Sequence, residues 1–394
     1  MEIICIPPTA ASDKLHLGNL YGWMLIDTYK RGREFKGVSV IAPESWNCYT
    51  EKKEQHSPKS DHEKEQICLR YKSETDKNIE IARELFLKYA ISFDSPTIRD
   101  DSRDYQDFIT ERVEALRNLG IITSSNIRLP PLESILQKCP EINWKPENIW
   151  KRLYGSKTLD DSDHMPLFRE GYYGITLPEN PRQVLGQRFV QSQIPSYIRS
   201  KYRRDIDLCI FGNDILTKWF FFVMANTTEK PFKKIGVSGM ILGNDGKRMS
   251  LYNGGKLITE LDEHPDNVRL GFLSQQFGRD FLEPDFSKEE RLRRKAVNCK
   301  AFLDNCKVSE KNRLSGEIRR VDETASNIVE EIGSLNFSQA HKSYRRFLYE
   351  TISQKIINLI KTRGIGKDEH SKLTQIFRSL GRIFIPVTTG QKNQ

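Results

Sequence analysis

Four apolar residues, Ile3-Ile4-Cys5-Ile6, open the chain and run straight into Pro7-Pro8-Thr9. A short apolar run closed by prolines reads as a buried strand, because proline cannot extend a hydrogen-bonded ladder. From about Gly18 to Arg31 the apolar residues recur at helical spacing, and Val38-Ser39-Val40-Ile41-Ala42 is a second apolar run. Strand, helix and strand in that order imply parallel strands joined by a crossover helix, hence a doubly wound, Rossmann-like α/β sheet. In such a sheet the crevice after the first strand takes ligands, so residues 7–19 form the first candidate site.

The same reading divides the chain into four parts. Residues 1–120 hold the first half of the sheet, with a mobile polar loop expected from Glu51 to Lys64 and helices over about 74–90 and 104–119. Residues 121–204 lack periodicity, are rich in proline and read as a connective insertion. Residues 205–286 return to α/β character, with strands at Asp207–Phe211 and Lys234–Val237. Residues 287–394 read as an all-α bundle.

Charge is unevenly placed. Residues 287–394 carry 22 Lys and Arg against 12 Asp and Glu, so the excess of the whole chain, +9, lies in this last part. A basic helical surface gathers polyanions by releasing their counterions. No run of about 18 apolar residues occurs, so no membrane span is expected. The N-terminus has no basic stretch leading into a long apolar one and reads as a strand, not a signal peptide. Seven scattered cysteines, odd in number, suit reduced thiols and a cytoplasmic setting. Without a Cys-x-x-Cys pair no zinc knuckle is expected, and no protein metal site is assigned.

Three segments carry candidate chemistry. The first, Pro7 to Asn19, ends in His16-Leu17-Gly18-Asn19 at the start of the first helix, where backbone amides favour phosphate. The second, Gly246-Lys247-Arg248-Met249-Ser250, is a basic, glycine-flanked loop of the kind that brings positive charge over a leaving pyrophosphate. The third, Gly212-Asn213-Asp214, places an acid after a strand, where it can accept from ribose hydroxyls or cap a helix.

In this order the three resemble the signatures of the class I aminoacyl-tRNA synthetases, usually written HIGH and KMSKS. Within that class the chain is similar to the methionyl, valyl, isoleucyl and leucyl enzymes, and most to the methionyl ones. The likeness extends to Lys234–Ile241, Tyr89–Asp94, Gly278-Arg279-Asp280 and Pro284–Ser287. It implies an ATP-dependent ligase that joins an amino acid to AMP as an aminoacyl-adenylate, with Mg2+ accompanying the nucleotide. By the resemblance His16, Asn19, Arg248 and Ser250 are catalytic. Lys14, Gly18, Gly212, Asp214, Met240, Ile241, Lys247 and Met249 would hold ATP, and Pro8, Thr9, Trp46 and Asn47 the amino acid.

Four departures narrow this expectation. Leu251 and Tyr252 stand where the second signature has lysine and serine. Asn47 stands where the family has an aspartate for the α-ammonium, which leaves Glu44 or Glu51 to compensate. The insertion is too short for the large editing domain of the valyl, isoleucyl and leucyl enzymes. All five tryptophans precede the helical part, so an anticodon base would have to stack on Tyr344, Phe347 or Tyr349. The acyl acceptor is therefore either tRNA, held by the basic helices, or a small molecule or carrier. A synthetase-like module that binds an amino acid or RNA without turnover is the alternative from another class.

Overall fold

In β1 (Glu2–Cys5) alternate residues of one apolar run feed two hydrophobic layers at once. Ile4 packs into one core with Leu208 and Ile210, while Ile3 and Cys5 enter the other with Cys209 and Phe211. A strand buried on both faces is a central strand of a parallel sheet. The computed structural model has this architecture; it describes the chain except residues 12–14, 50–59, 124–125, 129–133, 135–163, 179–181, 228–229, 244, 250–255, 312 and 391–394.

Pro7 and Pro8 interrupt the first strand, since neither has an N–H to give. Beyond them the chain resumes as β2 (Thr9–Ala10). Next come β3 (Val40–Ile41), which pairs with β1, and β4 (Pro43–Asn47), which pairs with β2. At the edge lies β5 (Asp94–Arg99), paired with β4. On the other side of β1 lies strand Ile206–Gly212, followed by Phe232–Ser238. Every one of these pairings is parallel, and the order changes direction at β1.

Helix α1 (Leu17–Phe35) crosses over this sheet, α2 (Asp61–Lys88) follows β4 and α3 (Arg103–Asn118) follows β5. Tyr105, Ile109, Val113 and Leu116 line the buried stripe of α3 at helical spacing. The polar stretch assigned to a loop is partly helix: Ser60 caps α2 by accepting from the Glu63 N–H at 3.2 Å. Residues 50–59 of that stretch lie outside the described residues. Strand β5 escaped the sequence reading, because Asp-Ser-Pro-Thr-Ile-Arg has no apolar run.

Within residues 121–204 the described parts are short antiparallel ribbons and helices Gln187–Ser192 and Ile194–Tyr202. These helices pack under α3: the Tyr105 hydroxyl donates to the Val190 carbonyl, and its ring meets Tyr197 edge-on at 5.1 Å. The last part is helical over Glu290–Asn305, Ser315–Gly333, Phe337–Arg363 and Lys367–Phe384, with a π-helical stretch at Phe347–Ile356. Tyr344 stacks on Phe384 at 4.1 Å and is buried, as is Phe347. Neither is available to a base. Among the described residues no helix is long and apolar enough to cross a membrane, and the six described cysteines are free thiols.

One buried ionic knot joins the helical part to the sheet. Asp27 of α1 is fully buried and accepts from Arg31 Nε at 2.7 Å, from the Ser92 N–H at 2.9 Å and from Arg269 at 2.7 Å. Arg31 also donates to the carbonyls of Ala90 and Arg382. Burial opposes the charge on Asp27, but the two guanidiniums and the Ser92 N–H outweigh it and hold its carboxyl below the usual range. Replacing Asp27 by alanine strands two buried cations and should cost roughly 3–5 kcal/mol in urea unfolding. Because the folded carboxyl is the stronger acid, its contribution is fully present above about pH 4 and is lost as pH falls through its depressed value. The stability deficit of the variant should therefore shrink in acid.

Candidate functional site

The change of direction in the sheet opens a cleft of about 540 Å³ over the ends of β1, β4 and strands Ile206–Gly212 and Phe232–Ser238. Brought together on its walls are Pro8, Thr9, His16, Gly18, Asn19, Asn47, Gly212, Asp214, Met240, Ile241, Arg248 and Met249, all named from the sequence. Lys14 and Ser250 lie outside the described residues, as do Leu251, Tyr252 and Glu51. Two further candidates are not on the walls. Trp46 is buried behind Trp23, meets it edge-on at 6.4 Å and gives its indole N–H to Glu44 at 2.6 Å. Lys247 sits on an exposed turn, its backbone N–H bound to Asp245.

His16 is the N-cap, with extended backbone, and its Nδ1 accepts from the Gly18 N–H at 3.1 Å. Asn19 reaches back so that its Oδ1 accepts from the His16 N–H at 3.1 Å. This reciprocal box fixes both side chains at the mouth of α1. Gly18 is needed there, since a Cβ on it would stand 2.9 Å from the imidazole of His16. No acid occupies the first turn of α1, so nothing on the helix neutralises its positive end.

The second signature sits on a hairpin. Gly243 and Lys247 share a backbone hydrogen bond of 2.8 Å, and the Met249 N–H donates to the Ile241 carbonyl at 2.9 Å. At its base Gly239 passes so near the backbone of Arg279 that a Cβ would lie 1.7 Å from that carbonyl oxygen. Met240 is then held on Asp280 at 2.8 Å, and Ile241 pairs with Phe281. From this hairpin Arg248 extends to an ion pair with Asp214, beneath the loop that follows Gly212. Asp214 caps no helix; it lies inside a single 3-10 turn, Asn213–Ile215.

Sequence reasoning missed the wall opposite. Gln187 and Gln191, one turn apart on helix Gln187–Ser192, face Asn47 together with Arg188 and Trp219. With the Asn47 amide turned to satisfy both its ends, its oxygen accepts from Gln187 at 2.7 Å and Gln191 at 2.6 Å. Its nitrogen donates to the Tyr49 carbonyl at 2.7 Å and to Asp100 at 3.1 Å. No motif pointed to these glutamines, because they lie in the aperiodic part of the chain and meet Asn47 only through the fold. Glu44, offered as a compensating acid, is turned away, bonded to Trp46, Thr97 and Arg83.

Behind Asn47, the thiol of Cys48 and the carboxylates of Asp100 and Asp101 lie within 4.8 Å of one another, the one metal-like grouping among the described residues. Asp101 is paired twice with Arg99, at 2.8 Å each, and Asp100 accepts from the Cys48 N–H at 2.7 Å. These are the satisfied contacts of a structural network.

No protein-family model matches the chain. Among curated proteins it is similar to the valine–tRNA ligase of Haloarcula marismortui, 26% identical over 200 residues, which is 46% of this chain and 22% of that protein. The valine–tRNA ligase of Methanococcus maripaludis is 32% identical over 189 residues, 42% of this chain and 21% of the other. The match thus spans about a fifth of the length of these relatives. Among solved structures, methionyl-tRNA synthetase of Mycobacterium tuberculosis bound by methionyl-adenylate superposes with a TM-score of 0.67 at 14% identity, covering 99% of this chain and 93% of that one.

The fold is therefore the doubly wound, Rossmann-like α/β type with a C-terminal helical region. Over part of its length the chain is thus similar in sequence to valine–tRNA ligases, and over nearly all of it similar in fold to a methionyl-tRNA synthetase, both class I aminoacyl-tRNA synthetases.

One measurable property follows from the Asn47 network. Burial and the nearby charge of Asp101 push the carboxyl of Asp100 up to about 8, against the pull of the Cys48 N–H. The folded protein then keeps a proton that the unfolded chain releases near pH 4, so this group lowers stability as pH rises from about 4 toward 8. Asp100→Asn removes the slope. In thermal denaturation its midpoint should climb relative to the unsubstituted protein between pH 5 and pH 8.

Proposed function

We propose that the cleft activates a carboxylic acid with ATP, an amino acid in the simplest case, and passes the acyl group to an acceptor. The observation that carries this is the meeting of His16 and Asn19, at the unneutralised end of α1, with the Arg248 hairpin across Asp214. A carboxylate oxygen of the acid attacks the α-phosphorus, the new O–P bond forms, and the bond to the β-phosphate breaks to release pyrophosphate. No protein nucleophile is needed; the chain's part is to align the reactants and to stabilise charge. In this reading His16 and Asn19 would meet the α-phosphate oxygens, Asp214 the ribose hydroxyls, and Arg248 the departing pyrophosphate.

Mg2+ would travel with the phosphates. Asp214 is the one carboxylate among the described residues lining the cleft, so phosphate oxygens and water would supply most of its ligands. Lys247, though off the wall, lies beside Arg248 on the same hairpin and can swing a second charge toward the phosphates.

For the acceptor, RNA is supported by a groove on the helical part. Arg291, Lys342, Arg345 and Arg346 surround Tyr349, whose ring carries Lys295 at 5.3 Å and Arg345 at 5.9 Å over it. Cations around a half-buried aromatic suit a phosphate backbone with a stacked base.

Exchange of labelled pyrophosphate into ATP, run across the standard amino acids and related acids, tests the reading. Exchange dependent on one acid is the expected result, and Arg248→Ala should lower it by about 10²–10³. ATP binding with no exchange for any acid would leave a binding module instead. Charging of total tRNA in the same mixture would identify the acceptor as tRNA, and exchange without charging a small molecule or carrier.

A further inference from the structure

The wall formed by Asn47 and its partners bears on which acid the cleft takes, given that it is an adenylate-forming site. A free α-amino acid brings an ammonium into the cleft, and a desolvated cation needs an anion beside it. Among the described residues on the walls the one carboxylate is Asp214, at the end of strand Ile206–Gly212 and already paired with Arg248. Asn47 ends β4, on the far side of β1 from that pair.

Every acid near Asn47 among the described residues is turned away from the cleft. Glu44 is bound to Trp46 and Thr97, Asp101 to Arg99, and Asp100 is fully buried beneath Asn47. The Asn47 oxygen is itself saturated by the two glutamine amides. Among the described residues, the charged side chain that lines the cleft beside the two glutamines is a cation, Arg188, which lies between them in sequence and rests over the Phe222 ring. As far as the described residues line it, this end of the cleft is a cage of neutral amides with a positive neighbour. Neutral carbonyls of that kind accept from a hydroxyl or an amide N–H without burying a charge.

We infer that the preferred acid carries an uncharged donor next to its carboxylate, a hydroxyl or an acylated amine, in place of a free ammonium.

The test compares matched sets: each standard L-amino acid, its 2-hydroxy counterpart and its N-acetyl counterpart, presented to the full chain. Two readouts are taken, pyrophosphate exchange and direct binding by calorimetry in the presence of ATP. The best hydroxy or N-acetyl acid should surpass its own amino counterpart by about tenfold or more in both. Asn47→Asp, which restores an anion at the wall, should reverse that preference. A free amino acid that exchanges or binds as well as its neutral counterparts in the unsubstituted protein overturns the inference, and so does binding of none of the acids. Selective binding of a neutral acid without exchange upholds it and removes the adenylate reading instead.

Discussion

The pairing of Asp27 with Arg31 and Arg269 is the contact through which the two halves of this molecule share one geometry. Arg269, at 0% exposure, lies on helix Pro265–Leu273, and Arg31 holds the carbonyl of Arg382 in the last helix. Both guanidiniums also reach the Ala90 carbonyl at the turn before β5. Three segments remote in sequence are thus fixed to the middle of α1. A rigid α1 in turn fixes His16 and Asn19, because the capping box that aims them is part of its first turn. A buried pair of this sort adds little net stability over apolar packing, but the penalty for losing one member is severe. It acts as a demand for register more than as a source of stability.

The cleft is a consequence of topology and of two prolines. Where the strand order turns at β1, the crossover connections leave opposite faces and the ends of adjacent strands lie uncovered. Pro7 and Pro8 break the ladder just there, and the chain resumes against a different partner two residues on. The sheet therefore splits at the place where backbone groups are wanted for a ligand. Clamping of Gly239 beneath Arg279 does the same for the hairpin that carries Arg248, fixing its root and leaving its tip to project.

Local pattern exposed the first part of this design and not the second. The β1–α1–β3 run was legible because its apolar residues obey two clean periods, and the doubly wound class followed. β5 was invisible since its polarity reflects an edge position, and α2 began earlier than expected because its first turns are exposed and charged. At the site, the described candidate residues of contiguous motifs reached the walls apart from Lys247 on its exposed turn, whereas Trp46 did not: alternation along β4 sends it to the core while Asn47 turns to the cleft. Gln187 and Gln191 could not be found at all. Their role depends on a contact across 140 residues that hydrophobic spacing does not encode.

The Arg248–Asp214 pair sets a last constraint on how the cleft can work. In the proposed reading Arg248 would serve the phosphates and Asp214 the ribose, so nucleotide and ion pair would compete for the same atoms. The magnitudes decide the outcome. Arg248 is about one-third exposed, and a pair with that access to solvent is worth at most about 1 kcal/mol. A triphosphate offers Arg248 several charged oxygens, each able to form a charge-assisted hydrogen bond about twice as strong as a neutral one. The ion pair is too weak to exclude the nucleotide and strong enough to hold the hairpin over the cleft until one arrives. In that reading Arg248 already stands over the cleft when the nucleotide enters, and the hairpin's clamped root limits how far it would have to travel.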